Sequence, residues 1–186
     1  MKRLSSLILR WWGWKVSVTV PDYPKSIICV APHTSNWDFI LGKLAYASIG
    51  RKAGFLMKKW WFFWPLGPIF RSMGGVPVGE SPGVSLTAQL IERFRTSDKL
   101  NIAITPEGTR SLTTRWRTGF LHVAIEAKVP ITLASIDFPS KTISMHETFF
   151  PTGDIKADML RIKEYYRPFT GRFPDKFSTE TEPDGK

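Results

Sequence analysis

The stretch Ser26-Ile27-Ile28-Cys29-Val30-Ala31-Pro32-His33-Thr34-Ser35-Asn36-Trp37-Asp38 decides how the chain is read. Ser26–Ala31 is a short continuous apolar run, the pattern of a strand covered on both faces. Pro32 ends it by removing a ladder donor. From Asp38 to about Ser48 the pattern is helical, and Gly50 is a suitable stop. The same punctuation recurs where the strand Asn101–Thr105 runs into Pro106-Glu107-Gly108-Thr109-Arg110-Ser111. Residues 16–20 alternate as a half-buried strand, and 54–57, 74–78, 131–136 and 141–149 read as further strands. Residues 84–95, 118–127 and 154–166 have helical periodicity. Strands alternating with helices predict an α/β fold: a single layered domain with a mainly parallel mixed sheet flanked by helices. Ligands in such sheets gather at the carboxyl ends of the strands. The residues just after the two best strands are therefore the ones to read for chemistry.

The 186 residues fit one domain, and 42% hydrophobic against 23% charged residues excludes wholesale disorder. A single cysteine, Cys29, excludes an intrachain disulfide and a cysteine zinc cluster, and it suggests a reducing compartment. Cys29 itself reads as a small buried hydrophobe. The net charge of +10 is unevenly placed. Residues 1–79 carry eleven basic and two acidic side chains, together with seven of the eight tryptophans. A segment both cationic and Trp-rich suits an anionic, amphipathic partner, either nucleic acid or a phospholipid surface.

No segment offers the ~20 largely apolar residues that span a bilayer. At the N-terminus Leu4, Leu7, Ile8, Trp11 and Trp12 recur at helical spacing beside Lys2, Arg3 and Arg10. This predicts a short interfacial helix within residues 1–15, a main α/β domain over 16–174 and a polar, frayed tail over 175–186. The expected location is peripheral, on the cytoplasmic face of a membrane. The aromatic stretch 60–70, broken by Pro65, Gly67 and Pro68, reads equally well as core or as a membrane-dipping loop.

His33 and Asp38 lie five apart, too far to share one face of a regular helix. They can meet if His33 sits in the loop and Asp38 in the first helical turn. A neutral imidazole takes a proton near neutral pH, and a carboxylate on its other nitrogen fixes the tautomer. The bland alternative for Asp38 is a capping box, since Ser35-x-x-Asp38 has that form. In the second motif Gly108 permits close backbone approach, Arg110 has the fork geometry for phosphate, and Thr109 adds a hydroxyl. The bland alternative there is a turn with a local Glu107–Arg110 pair.

Together the two motifs are more specific than either alone. Pro-His-x4-Asp, followed 74 residues later by Pro-Glu-Gly-Thr-Arg-Ser, resembles the glycerolipid (lysophospholipid) acyltransferase family. The resemblance runs from about Ser26 to Asp137. Lys58-Lys59…Pro65-Leu-Gly67…Gly74-Gly75-Val-Pro-Val78 looks like that family's second block, and Val129-Pro130-Ile131 like its fourth. The resemblance implies acyl transfer from an acyl thioester, on coenzyme A or acyl carrier protein, to a lysolipid or glycerol-phosphate hydroxyl. His33 would be the general base and Asp38 its orienting partner. Glu107, Gly108, Thr109 and Arg110 would bind the acceptor head group, and Lys58, Lys59 and Arg71 are candidates for phosphate or donor contacts. No metal and no redox cofactor is implied, because the thioester is already activated. The implied partners are a phospholipid membrane surface, the acyl donor and the lysolipid acceptor, with no nucleic acid. Two positions depart from the pattern. Glu80 stands where the family usually carries an arginine, which favours a zwitterionic or amino-acid-containing lysolipid. Leu133 stands where a second proline is usual.

Other readings compete. An amine acceptor would use the same base and give an amide. A non-catalytic lipid- or nucleic-acid-binding module would account for the charge, but no recognisable nucleic-acid module is present.

Overall fold

The computed structural model describes residues 2–79 and 83–181. Seven strands form one sheet: β1 (Lys15–Val18), β2 (Lys25–Ala31), β3 (Gly54–Lys58), β4 (Gly75–Val78), β5 (Leu100–Ile104), β6 (Ile131–Asp137) and β7 (Thr142–Phe149). Their order is β1-β7-β6-β2-β5-β3-β4. All pairs are parallel except β6 with β7. The exception follows from the short turn Phe138–Lys141, closed by Lys141 N–H to Phe138 O at 3.2 Å. Such a link can join only antiparallel neighbours, whereas parallel ones need a crossover. The sheet is thus mainly parallel and mixed, as the strand–helix alternation implied.

The helices are α1 (Lys2–Trp11), α2 (Trp37–Ser48), α3 (Leu66–Ser72), α4 (Leu86–Thr96), α5 (Gly119–Ala127) and α6 (Ile155–Tyr166). They cover both faces. Ile27 and Cys29 of β2 point into a core with Phe94 of α4, Leu121 of α5 and Ile162 of α6. Ile28 and its neighbour Val30 point to the opposite face, toward Tyr46 of α2. This two-sided burial is why the β2 sequence is apolar without alternation. Tyr166 Oη, fully buried, donates to the Cys29 carbonyl at 2.6 Å and ties α6 to β2. Cys29 is fully buried, as expected of a small hydrophobe.

Helix ends follow local chemistry. Ser85 Oγ accepts Ala88 N–H at 3.1 Å and starts α4, and Asp154 accepts two N–H groups at the start of α6. α3 forms inside the proline-rich aromatic stretch, because Pro68 lies in its first turn, where no N–H partner is needed.

One expectation is corrected. The tail does not fray from Asp175 as far as it is described. Phe177 packs on Trp116 at 6.0 Å, Trp116 Nε1 donates to Ser178 O at 3.2 Å, and Lys163 Nζ reaches Glu180 O at 2.6 Å. A polar composition hid one aromatic anchor and backbone acceptors. Residues 182–186 of that expected tail lie outside the described residues. His146 hydrogen-bonds Ser17 Oγ at 2.7 Å across the β1–β7 pair. The three N-terminal tryptophans have different surroundings. Trp11 is exposed, Trp12 packs edge-on against Trp37 at 5.7 Å, and Trp14 is buried on Phe138 at 5.0 Å.

The α1 helix is both packed and amphipathic. Ser5 and Leu9 are buried and the helix lies against α2, while Leu4, Leu7 and Trp11 form an exposed stripe. No helix among the described residues is long and apolar enough to cross a membrane.

Candidate active site

The carboxyl ends of the adjacent strands β2 and β5 deliver the two motifs to one place. His33 leaves β2 in a loop, and Asp38 sits in the first turn of α2. His33 Nδ1 lies 3.2 Å from Asp38 Oδ2. A neutral imidazole therefore donates Nδ1–H to the carboxylate and keeps its lone pair on Nε2.

Asp38 is buried and fixed by several donors. Its Oδ2 accepts Thr34 N–H and Ser35 N–H, each at 2.8 Å, and its Oδ1 accepts Ser35 Oγ–H at 2.9 Å. Only half of the expected capping box forms. The Asp38 carboxylate takes the Ser35 N–H, but the Ser35 hydroxyl turns to the carboxylate instead of capping Asp38 N–H. The bland and the functional readings of Asp38 thus coincide: the bonds that shape the loop also hold the carboxylate against His33.

Glu107 is 3% exposed, and its Oε1 accepts the His33 N–H at 2.9 Å. Its Oε2 has no hydrogen-bond partner among the described residues. Burial pushes this carboxyl up to about 8, against the lowering effect of the His33 N–H, with the Asp38 charge pushing the same way as burial. At neutral pH it is therefore largely protonated, which suits a site with one donor. The resemblance assigns Glu107 to the acceptor head group; in the structure its Oε1 contacts the loop that carries His33.

The rest of the second motif spreads outward. Gly108 adopts φ +66°, the left-handed region, and a Cβ there would stand 3.1 Å from Arg117 Cγ. Thr109 Oγ1 accepts Ser111 N–H at 3.1 Å. Arg110 is exposed and donates to Asn36 Oδ1 in the His33–Asp38 loop, so the expected Glu107–Arg110 pair is absent and each residue instead binds the other motif. Lys58 and Lys59 are exposed at the carboxyl end of β3. That strand is two places from β2, about 10 Å along the same sheet edge at the usual strand spacing. Arg71 lies on α3 with its guanidinium 5.4 Å from the Phe62 ring. Glu80 lies outside the described residues.

Sequence reasoning missed the C-terminal segment around Gly171. Thr34 Oγ1 accepts Phe173 N–H at 3.2 Å, and Arg172 stacks 5.6 Å from the Trp37 ring. A Cβ on Gly171 would stand 2.8 Å from Thr34. Nothing local signals this approach, because it joins residues 139 positions apart.

A cavity of about 420 Å³ opens beside His33 and runs between α2 and the sheet. His33, Asn36 and Thr105 line it together with the apolar Ile28, Ala134 and Met145. The size is that of a small-molecule pocket, and the lining is apolar with a few polar groups. Among the described residues no group of three or more His, Cys, Asp or Glu could hold a metal ion.

A comparison with curated proteins finds no match. The solved structure of the 1-acyl-sn-glycerophosphate (LPA) acyltransferase PlsC from Thermotoga maritima superposes with a TM-score of 0.57. It is 18% identical, over 91% of this chain and 80% of that one, and it shares the fold. The family model described as Acyltransferase matches residues 15–136, about two thirds of the chain and both post-strand motifs. The chain belongs to the acyltransferase family.

Proposed function

We propose that this acyltransferase works at a membrane surface and moves a fatty acyl group from an acyl thioester to a lysolipid hydroxyl, with His33 as general base. The observation that carries the reading is the His33–Asp38 pair beside an apolar cavity. The acyl chain lies in the cavity and its thioester carbonyl stands at His33. The acceptor hydroxyl gives its proton to His33 Nε2 as its oxygen attacks that carbonyl. The tetrahedral adduct expels the thiolate, which takes the proton back from the imidazolium, leaving an ester and a free thiol. Asp38 stabilises the imidazolium formed in between. The donor is already activated, so proximity and proton transfer suffice, and the reaction draws on no metal or redox cofactor.

The donor carrier is coenzyme A or acyl carrier protein, both anionic, which matches the basic first part of the chain. Lys58 and Lys59 are placed to meet such a carrier at the sheet edge, and Arg110 to meet the acceptor head group. Leu4, Leu7 and Trp11 of α1, with the exposed Trp60 and Trp64, present the apolar surface for the bilayer, flanked by cations. The enzyme so read is monotopic.

The test offers purified protein a panel of lysolipids and glycerol 3-phosphate with acyl-CoA and acyl carrier protein donors, read by lipid mass spectrometry. His33→Ala should abolish transfer with the fold retained. More than a tenth of activity remaining would sink the assignment of the base. Glu80→Arg should raise activity on lysophosphatidate if Glu80 excludes a phosphate monoester by charge.

A further inference from the structure

The segment after α6 lies outside residues 15–136, which the family model matches, yet it closes on the loop between His33 and Asp38. Gly171 permits the approach, since a Cβ there would stand 2.8 Å from Thr34. Two residues on, Phe173 N–H donates to Thr34 Oγ1 at 3.2 Å. Thr34 is buried, and its own N–H donates to the Asp38 carboxylate at 2.8 Å. Arg172, the residue between these two anchors, is therefore fixed at the loop that carries the His33–Asp38 pair.

The Arg172 side chain is exposed, and its neighbours are aromatic rather than acidic. Its guanidinium lies 5.6 Å from the Trp37 ring and 5.7 Å from the Phe173 ring. Lys176 Nζ lies 4.6 Å from that same Phe173 ring. Among the described residues neither cation has a carboxylate partner or donates to a protein oxygen. Aromatic rings hold a guanidinium by its flat faces and leave its N–H edge free. That edge is a planar fork, which fits two oxygens of one phosphate. Two cations gathered on one ring repel each other, and a bound anion offsets that repulsion. Arg110 reaches the same loop from the other motif, donating to Asn36 Oδ1 beside Trp37. Guanidinium groups from two distant parts of the chain thus meet consecutive loop residues.

We propose that Arg172, seconded by Lys176, binds a phosphate group of a substrate as that substrate reaches His33. The inference rests on the acyltransferase reading above. Both substrates of that reading carry phosphate: a lysophospholipid acceptor in its head group, and the donor in its phosphopantetheine arm. The chemistry at Arg172 is the same for either, so the experiment separates them.

Steady-state kinetics of wild type, Arg172→Gln and Arg172→Lys are measured with a lysophospholipid and an acyl-CoA, each varied in turn. They are repeated with the phosphate-free pair of monoacylglycerol and S-acyl-N-acetylcysteamine. Arg172→Gln should raise the KM of one phosphate-bearing substrate by about tenfold or more with kcat little changed. Arg172→Lys should do so less, because it keeps the charge without the fork. A rise confined to the acceptor assigns the site to the head group, and a rise confined to the donor assigns it to the phosphopantetheine arm. Unchanged kinetics in Arg172→Gln would overturn the proposal. So would a loss confined to kcat, a rise in both KM values, or an equal loss on the phosphate-free pair, since Arg172 would then only support the loop. Should wild type transfer no acyl group at all, the functional reading fails and this inference falls with it. Wild-type activity with an unaltered variant removes the inference alone.

Discussion

The Glu107 carboxyl accepts the backbone N–H of His33 at 2.9 Å, joining two motifs that are 74 residues apart in the chain. The bond runs across the β2–β5 pair, whose parallel register sets Cys29 beside Ile104. Two loops that each looked like an isolated turn are thereby one structure. Glu107 touches the loop that aims the imidazole, and four predictions follow from that loop and its surroundings.

Glu107 makes stability fall as pH rises. Its folded-state value of about 8 lies above the 4.5 of a free glutamate, so the unfolded chain ionises first. The folded state then holds more protons, and stability decreases from about pH 4.5 upward, levelling off above pH 8. A displacement of that size corresponds to a few kcal/mol. Thermal melts of wild type between pH 5 and 9 should show the decline, and Glu107→Gln should flatten it. A Gln variant with the wild-type slope would contradict the burial argument.

Asp38→Asn should lower kcat by about two to four orders of magnitude with little change in KM, because the amide favours the wrong imidazole tautomer. Adding His33→Ala to it should cost little more, since the two act as a unit. Additive losses in steady-state kinetics would mean that Asp38 acts independently of His33.

Gly171→Ala should destabilise the protein by about 1–3 kcal/mol, because the new methyl would sit 2.8 Å from Thr34 and must push it or the segment away. At this chain length, that lowers Tm by several degrees. Activity measured well below Tm should fall as well, since Thr34 N–H holds Asp38. Gly153→Ala is the comparison: its Cβ would meet no atom, so any cost there comes from its φ of +102° alone.

Leu7→Asp and Trp11→Asp should each weaken partitioning onto anionic vesicles about tenfold or more, as each removes one apolar anchor. Both side chains are well exposed, at 61% and 86%, so the circular dichroism spectrum should not change. Sedimentation with vesicles at rising salt checks the cationic contribution, which should fade as charges are screened. Vesicle binding indifferent to both substitutions would leave α1 without an interfacial role.

Much of this was legible from local pattern. The Ser26–Ala31 run, the prolines that end two strands and the helical period after Asp38 each depend on neighbours a few residues away. Periodicity and turn chemistry report such neighbours directly. The same holds for the His33–Asp38 pairing, which needs only a loop followed by a helix. The docked segment 175–181 was not legible, because one aromatic, Phe177, and a set of backbone acceptors anchor a stretch whose composition is polar.

The sequence by itself determined the alternation of strands and helices, the basic Trp-rich first part and the two motifs, since these are properties of residue type and spacing along the chain. Tertiary structure alone decided that Glu107 accepts the His33 N–H while Arg110 turns to Asn36, that Gly171 closes on Thr34, and that an apolar cavity opens beside His33. Each of these depends on which residues the sheet order and helix docking bring together. A contact between distant residues, or a space left between them, has no periodicity for a linear reading to detect.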